Sequence, residues 1–402
     1  MENKILLNKP FQAAAPVLDK LIAAGYEAYF VGGSVRDVLL GKAVNDVDIA
    51  TSAFPSEVKE IFPKTIDVGI EHGTVMVLLD GQSYEITTFR TESAYQDFRR
   101  PDSVTFVRSL KEDLKRRDFT INALALSRNG DIHDYFKGQE DLENRLIKAV
   151  GTADERFQED ALRMMRAARF ASQLGFSIEE KTTEALKNHA PLLQHIAIER
   201  IQIEFIKMML GNYRYKGLKH FIKTGLYKYC PGMDKAALEQ IASLDEPFET
   251  ERQVWSTCLL LARVPLSEAR TFLRSWKLSN KLIQEILTVN ETVRQRTEQE
   301  IEKWTVYTVG KELSIETEKI LNILGYASDI NQVKEVYEQL PIYSKKDLAL
   351  TGNELMKLSD KKPGKWLGDV LDQIEKAVVY EQLENDQKAI ITWIKEHQLI
   401  NE

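Results

Sequence analysis

Two rhythms of apolar and polar positions divide the chain. Up to about residue 140, short apolar runs alternate with turn residues: "AYFVGG", "DVDIAT", "TVMVLLDG", "YEITTF" and "ALALSRNGDIHDYF" read as strands and turns. Ahead of them, "FQAAAPVLDKLIAAG" has helical spacing and predicts an amphipathic helix stopped by Gly25. "SVRDVLLG" predicts a short helix with Ser34 as N-cap and Gly41 past its end. From about residue 141 onward apolar residues recur at three- and four-residue spacing, with breaks near "LGNYRYKG", "CPGMDK", "SLDEPFE" and "QLPIYSKK". The pattern predicts one domain of mixed strands and helices, followed by several small helical domains.

Length changes this picture little: 402 residues predict two to four domains. With 43% hydrophobic and 29% charged residues, the composition is that of a soluble globular protein. No apolar run approaches a membrane span, and "MENKILLNKPFQ" lacks the features of a signal peptide, so no membrane partner is expected. Two cysteines, Cys230 and Cys258, argue against a disulfide framework or zinc site and fit a reducing cytoplasm. The net charge of -7 means that any RNA binding must rest on local basic patches.

Candidate chemistry is concentrated in "YFVGGSVRDVLLGKAVNDVDIATS", residues 29–52. The glycine pair ends a strand and opens a helix, leaving backbone N–H groups unobstructed where a phosphate can approach. Arg36 can pair with phosphate, and Asp37 can hold local structure. Strand alternation in "DVDIA" puts Asp46 and Asp48 on one face, roughly 6–7 Å apart at the backbone. A lone D-x-D is commonly a solvated strand face; beside a glycine pair it fits magnesium with phosphates completing the shell. Glu85 in "YEITTFR" is the candidate third carboxylate, facing away from Tyr84 and Ile86.

A second constellation is "RFQEDALRMMRAARF", residues 156–170. Asp160, Arg163, Arg166 and Arg169 recur every three residues and predict a charged row on a helix whose other residues are small and apolar. A fixed Asp beside a fixed Arg can read a base edge. The carboxylate accepts from an amino group and the guanidinium donates to a ring nitrogen, which suits cytosine and adenine. Uracil and guanine present the reverse order and are rejected. His133, His72 and the aromatic residues of the C-terminal half read as turn or core residues.

These motifs, with "RRDFTINALA" at 116–125 and "HIAIERIQIEFIKMM", resemble the class II tRNA nucleotidyltransferases: the CCA-adding enzymes, with bacterial poly(A) polymerases as close relatives. The resemblance is strongest to the enzymes of Bacillus-type bacteria and covers most of the chain: its motifs span roughly residues 30–205 in the family's order, and the helical remainder matches in length and style. It implies an α+β protein: a β-polymerase-like nucleotidyltransferase head over 1–145, then an all-α neck (146–210), body (211–300) and tail (301–402). It implies Asp46 and Asp48 as Mg²⁺ ligands, with Glu85 retained as the third carboxylate. Gly33, Arg36 and Arg117 would contact the nucleotide and Asp118 would organise the site. Asp160 and Arg163 would form the base template, and Arg166 and Arg169 would complete nucleotide binding.

The implied activity is template-independent addition of C, C and A to the tRNA 3′ end, using CTP and ATP, by two-metal transfer with pyrophosphate release. The alternatives are a CC-adding, A-adding or poly(A)-polymerising relative, or a non-catalytic RNA-binding protein that kept the fold. "SAYQDFRRPDSVTF", residues 93–106, resembles the loop used when switching from C to A. The tail segment 348–368 and the basic residues Arg99, Arg100, Arg108, Lys111 and Lys115 are candidate RNA contacts. The family leaves room for a homodimer.

Overall fold

A computed structural model describes residues 4–44, 46–92, 104–359, 362 and 364–400. The candidate switching loop therefore lies almost wholly outside the described residues, Arg99 and Arg100 included. Contacts group the chain into two compact units, 1–243 and 244–402.

The first unit is built on a seven-stranded sheet. Its strands are β1 (Ala28–Val31), β2 (Asp48–Thr51), β3 (Thr65–Asp67), β4 (Thr74–Leu79), β5 (Gln82–Thr88), β8 (Leu124–Leu126) and β9 (Ile132–Asp134), in the order β3-β4-β5-β2-β1-β8-β9. Strands β6 (Arg90–Glu92) and β7 (Val104–Phe106) pair separately. The β2–β5 pair is parallel and the other pairs of the large sheet are antiparallel. Alternation of side chains lets the two faces of β1 bury different partners. Phe30 meets Phe11 edge-on at 4.9 Å, from helix α1 (Lys9–Ala23). Val31 joins Ala50, Ala125, Leu110 and Leu114 in a second cluster.

Four short helices complete this region: α2 (Gly33–Leu39), α3 (Pro55–Ile61), α4 (Leu110–Lys115) and α5 (Gly138–Glu143). Ser34 is not the N-cap of α2. The helix begins two residues earlier than that cap implies, at Gly33, because Gly32 takes the flanking position with φ 74° and ψ −137°, a conformation open to glycine. The Ser34 hydroxyl instead donates to the Val31 carbonyl at 3.0 Å.

The rest of the first unit is helical: α6 (Ala153–Glu159), α7 (Leu162–Leu174), α8 (Glu180–His189), α9 (Ile198–Met209), α10 (Arg214–Lys223) and α11 (Lys235–Ala242), with a two-strand pair of β10 (Leu146–Ile147) and β11 (Ser177–Ile178). Helix α7 is buried along most of its length and packs on α9 and α10. A Cβ at Gly217 would stand 2.7 Å from Ser172 Cβ and 2.8 Å from the Ala168 carbonyl oxygen, so α10 approaches α7 through a residue without a side chain.

The second unit contains α12 (Glu251–Leu261), α13 (Leu266–Ser275), α14 (Asn280–Arg296), α15 (Lys303–Val309), α16 (Lys311–Ile323), α17 (Ile330–Glu338), α18 (Gly352–Lys357), α19 (Lys365–Val379) and α20 (Gln387–Glu396). Thr250, Ser279, Asp329, Thr351 and Asp386 each cap a helix start by accepting a backbone N–H, worth about 1 kcal/mol apiece. Trp255 and Trp276 are fully buried with rings 4.8 Å apart, which makes them core residues, as their spacing predicts. The chain is thus α+β: a sheet-bearing N-terminal region followed by helices. No described helix is long and apolar enough to cross a membrane.

Candidate active site

Two cavities in the first unit meet at Asp48. The first, of about 810 Å³, is lined by Asp46, Asp48 and Glu85 together with Lys9, Met76 and Gln82. Strand β2 opens at Asp48, so Asp46 precedes the strand and is not part of its alternation. Both carboxylates nevertheless lie exposed in the same cavity. The parallel register Ile49↔Ile86 sets Glu85 beside Asp48 on the neighbouring strand. Surrounding protein raises the pKa of the Asp48 carboxyl, Arg117 pulls it down, and Asp46 raises it again. Among the described residues no group of three His, Cys, Asp or Glu is gathered as a metal cage. A pair of exposed carboxylates offers only hard oxygen donors, which suits a divalent cation that keeps water and phosphate in its remaining positions.

The second cavity, of about 500 Å³, collects the remaining sequence candidates: Gly33, Arg36, Arg117, Asp118, Asp160, Arg163, Arg166 and Arg169. At its floor the backbone turns through Gly32. A Cβ there would stand 3.1 Å from an Arg117 guanidinium nitrogen and 3.7 Å from Asp48 Oδ2. Glycine is therefore favoured by the positive φ, and a side chain there would also crowd the Arg117 guanidinium. Arg117 and Arg116 both donate to Asp113, at 3.2 and 2.8 Å. Asp113 is fully buried; burial raises its pKa, but the two guanidinium groups bring it below the usual carboxylate range.

A hydrogen-bonded chain crosses the cavity wall. Arg36 donates to Asn122 Oδ1 at 2.8 Å, and Asn122 donates to Asp118 Oδ1 at 3.0 Å. Arg166 donates to Asp118 Oδ2 at 2.7 Å. Burial would raise the Asp118 carboxyl, but Arg166 and the Asn122 hydrogen bond outweigh it and hold it at about 2. Asp118 in return raises the Arg166 pKa. Arg169 is brought down to about 10 by burial, against the opposing pull of Glu204, whose Oε2 lies 2.7 Å from its Nε. The Phe170 ring stands among three of these cations, 5.1 Å from Arg36, 5.4 Å from Arg166 and 4.1 Å from Arg169. Its electron-rich face offsets part of the repulsion among them.

The charged row expected along residues 156–170 is broken. Helix α6 ends at Glu159, and Asp160 has extended backbone, φ −135° and ψ 103°. Its Oδ1 accepts the Leu162 N–H at 3.0 Å and so starts α7 afresh. Arg163 does not pair with Asp160 through its side chain. Its guanidinium donates to Glu159 Oε2 at 2.6 Å and to the Arg116 carbonyl at 2.9 Å. Asp160 instead accepts from Arg200 at 2.9 Å.

Arg116, Asn122, Arg200 and Phe170 are cavity residues that sequence reasoning passed over. Arg116 and Asn122 stand inside the quoted "RRDFTIN" and Arg200 inside "IERIQIE", so proximity to a motif was the signal that could have found them. Phe170 reads as core from its spacing. Of the candidate RNA contacts, Arg108 is engaged with Glu57 at 2.9 Å.

Comparison with known proteins places this geometry among relatives. Residues 28–148 match the family model of the poly A polymerase head domain, and residues 246–394 match that of tRNA nucleotidyltransferase domain 2. Residues 175–237 match the family model described as "Probable RNA and SrmB- binding site of polymerase A". A CCA-adding enzyme of Enterococcus faecalis is 52% identical over 388 residues, 96% of each chain. One of Bacillus cytotoxicus is 46% identical over 398 residues, spanning 98% of this chain and 100% of that one. The crystal structure of the Bacillus stearothermophilus CCA-adding enzyme in complex with CTP matches with a TM-score of 0.91 at 40% identity, covering 98% of each chain.

Proposed function

Because the chain belongs to the CCA-adding enzyme family and so adds C, C and A to tRNA 3′ ends by nucleotidyl transfer, we propose an assignment of its two cavities to the two reactants. The arginine-lined cavity takes CTP or ATP. The acidic cavity on the other side of Asp48 takes the accepting 3′ end of the tRNA. The observation that carries this is the position of Asp48, which lines both cavities and stands where the reacting atoms must meet.

In the nucleotide cavity, Arg36, Arg117, Arg166 and Arg169 neutralise the triphosphate, and the side-chain-free turn at Gly32–Gly33 lets it approach the backbone. Asp160 accepts the amino group of cytosine or adenine. Arg163, fixed by Glu159 and the Arg116 carbonyl, donates to the adjoining ring nitrogen. Asp118 touches no substrate in this reading; it holds Arg166 in place and, through Asn122, steadies Arg36.

The family depends on a divalent metal, and we take it to be Mg²⁺, held by Asp46 and Asp48 with Glu85 as a further carboxylate beside them. When bound, it supplies positive charge that favours deprotonation of the attacking hydroxyl and offsets the charge of the transferring phosphate. The tRNA 3′ oxygen bonds to the α-phosphorus as the bond to the β-phosphate oxygen breaks, and pyrophosphate leaves carrying that electron pair. We also retain the division into head (1–145), neck (146–210), body (211–300) and tail (301–402). Helices α7 and α9, which carry Arg163, Arg166 and Arg200, and the break before α7 that holds Asp160 support the neck as the base-reading part. The cytoplasm is the proposed location, in keeping with two unbridged cysteines and tRNA as substrate.

The test is a 3′-end extension assay with Mg²⁺ and transcripts ending before CCA, after C and after CC. Each NTP is supplied alone, then CTP and ATP together. Addition of C, C and A followed by a stop, with UTP and GTP unused, is the expected result. Addition of CC alone, a single A alone or a long A run would replace the reading with a partial or poly(A) activity.

A further inference from the structure

Asp160 has a partner forty positions away that fixes how its carboxylate is presented. Arg200, from the first turn of α9, donates through one terminal nitrogen to Asp160 Oδ2 at 2.9 Å, while its other terminal nitrogen lies 3.5 Å from Oδ1. Oδ1 also accepts the Leu162 N–H at 3.0 Å. A carboxylate oxygen has two acceptor positions. Both on Oδ1 are engaged, and one on Oδ2 is engaged. A single acceptor position therefore remains, on Oδ2 of a residue that lines the cavity.

Held only by the Leu162 N–H, the carboxylate could pivot about its broad terminal torsion. A pivoting carboxylate is a poor judge of bases. It can meet the amino group of cytosine or adenine, but it can equally turn to accept the ring N–H of uracil or guanine. A carboxylate clamped at both oxygens cannot make that second adjustment. We propose that Arg200 is a positioning residue for nucleotide choice: its two-nitrogen contact locks the Asp160 carboxylate so that one acceptor meets an amino group and cannot turn to a ring N–H. This rests on the reading of Asp160 as the base-reading group.

The test uses the full chain with Arg200→Gln, Arg200→Lys and Asp160→Ala. Equilibrium binding of CTP, ATP, UTP and GTP to the RNA-free protein is measured beside kcat and KM for single-nucleotide addition. Arg200→Gln should lower the preference for CTP over UTP and for ATP over GTP by about tenfold, mainly through KM and binding. Arg200→Lys keeps the charge without the planar two-nitrogen fork and should recover only part of that preference. A common fall in kcat/KM for all four nucleotides, or preferences unchanged within about twofold, would overturn the proposal and leave Arg200 as a tie between helices. Should Arg200→Gln fail to fold, the lysine variant decides by the same ratios. If Asp160→Ala keeps full discrimination, the base-reading assignment itself falls. If Asp160→Ala loses it while both Arg200 variants keep it, only the role of Arg200 falls.

Discussion

Arg166 on α7 donates to Asp118 Oδ2 at 2.7 Å, tying a helix to a segment 48 positions earlier in the chain. The other oxygen of Asp118 accepts from Asn122, which in turn accepts from Arg36. One buried carboxylate thus holds two of the proposed triphosphate contacts. Asp118→Asn keeps the shape but removes the charge that Arg166 answers. Breaking a buried pair from one side costs about 3 kcal/mol, and urea unfolding should register a loss of that order. Steady-state kinetics should show KM for CTP and ATP raised by about tenfold or more, since a 1.4 kcal/mol loss of fit already gives that factor.

The three carboxylates of the acidic cavity should not contribute equally. Asp46→Asn and Asp48→Asn remove the proposed metal ligands and should each cut single-turnover nucleotide addition by about 10³-fold or more. Equilibrium binding of CTP should change little, because most of the cation charge facing the nucleotide lies in the other cavity. Glu85→Gln should be milder, about tenfold in kcat, because no group of three carboxylates is gathered as a metal cage among the described residues.

Gly32→Ala places a methyl group 3.1 Å from the Arg117 guanidinium in a backbone conformation that alanine avoids. The strain should cost about 1–3 kcal/mol, visible in the unfolding midpoint. Displacing Arg117 should also raise KM for both nucleotides. A Gly41→Ala control, whose glycine has φ 66° and open space around its Cβ position, should show the backbone strain without the kinetic defect.

Acid should weaken the protein through His220. Burial, with Lys223, Lys219 and Lys216 adding to it, brings the His220 pKa down from 6.5 to about 4. In the unfolded chain this imidazole takes a proton below pH 6.5, whereas in the fold it stays neutral until about pH 4. Its contribution is therefore lost as pH falls through that window, amounting to about 2 kcal/mol by pH 5. His220→Gln should show a correspondingly smaller drop in thermal midpoint between pH 7 and pH 5.

What the sequence discloses follows the range of the interaction. Strands β1, β2, β4, β5, β8 and β9 stand out because alternation and bounding turns are local. Gly33, Arg36, Arg117 and Arg166 stand out because their chemistry sits in compact motifs. The break at Asp160 does not, since the three-residue spacing counts Asp160 into the row with Arg163, Arg166 and Arg169, and only the extended backbone there and the Asp160–Leu162 hydrogen bond set it apart from the helix. Arg200 is hidden for the opposite reason: its partner lies forty residues away, and only its place inside a quoted motif points to it. Ser34 misleads as a cap because the neighbouring glycine takes the cap conformation first.

Among the described residues, every cation lining the proposed nucleotide cavity is an arginine, seven in all, against three aspartates, in a chain whose net charge is -7. Lysine could lose its charge to acetylation or to a modest pKa shift; guanidinium groups do not, and even Arg169, whose pKa burial brings down to about 10, stays charged at physiological pH. The positive charge these arginines present to an approaching triphosphate is therefore constant across the physiological pH range. What can modulate it is ionic strength. Screening shortens the reach of the local positive field against the anionic surroundings, so the capture rate of CTP and ATP becomes a function of salt before it becomes one of pH.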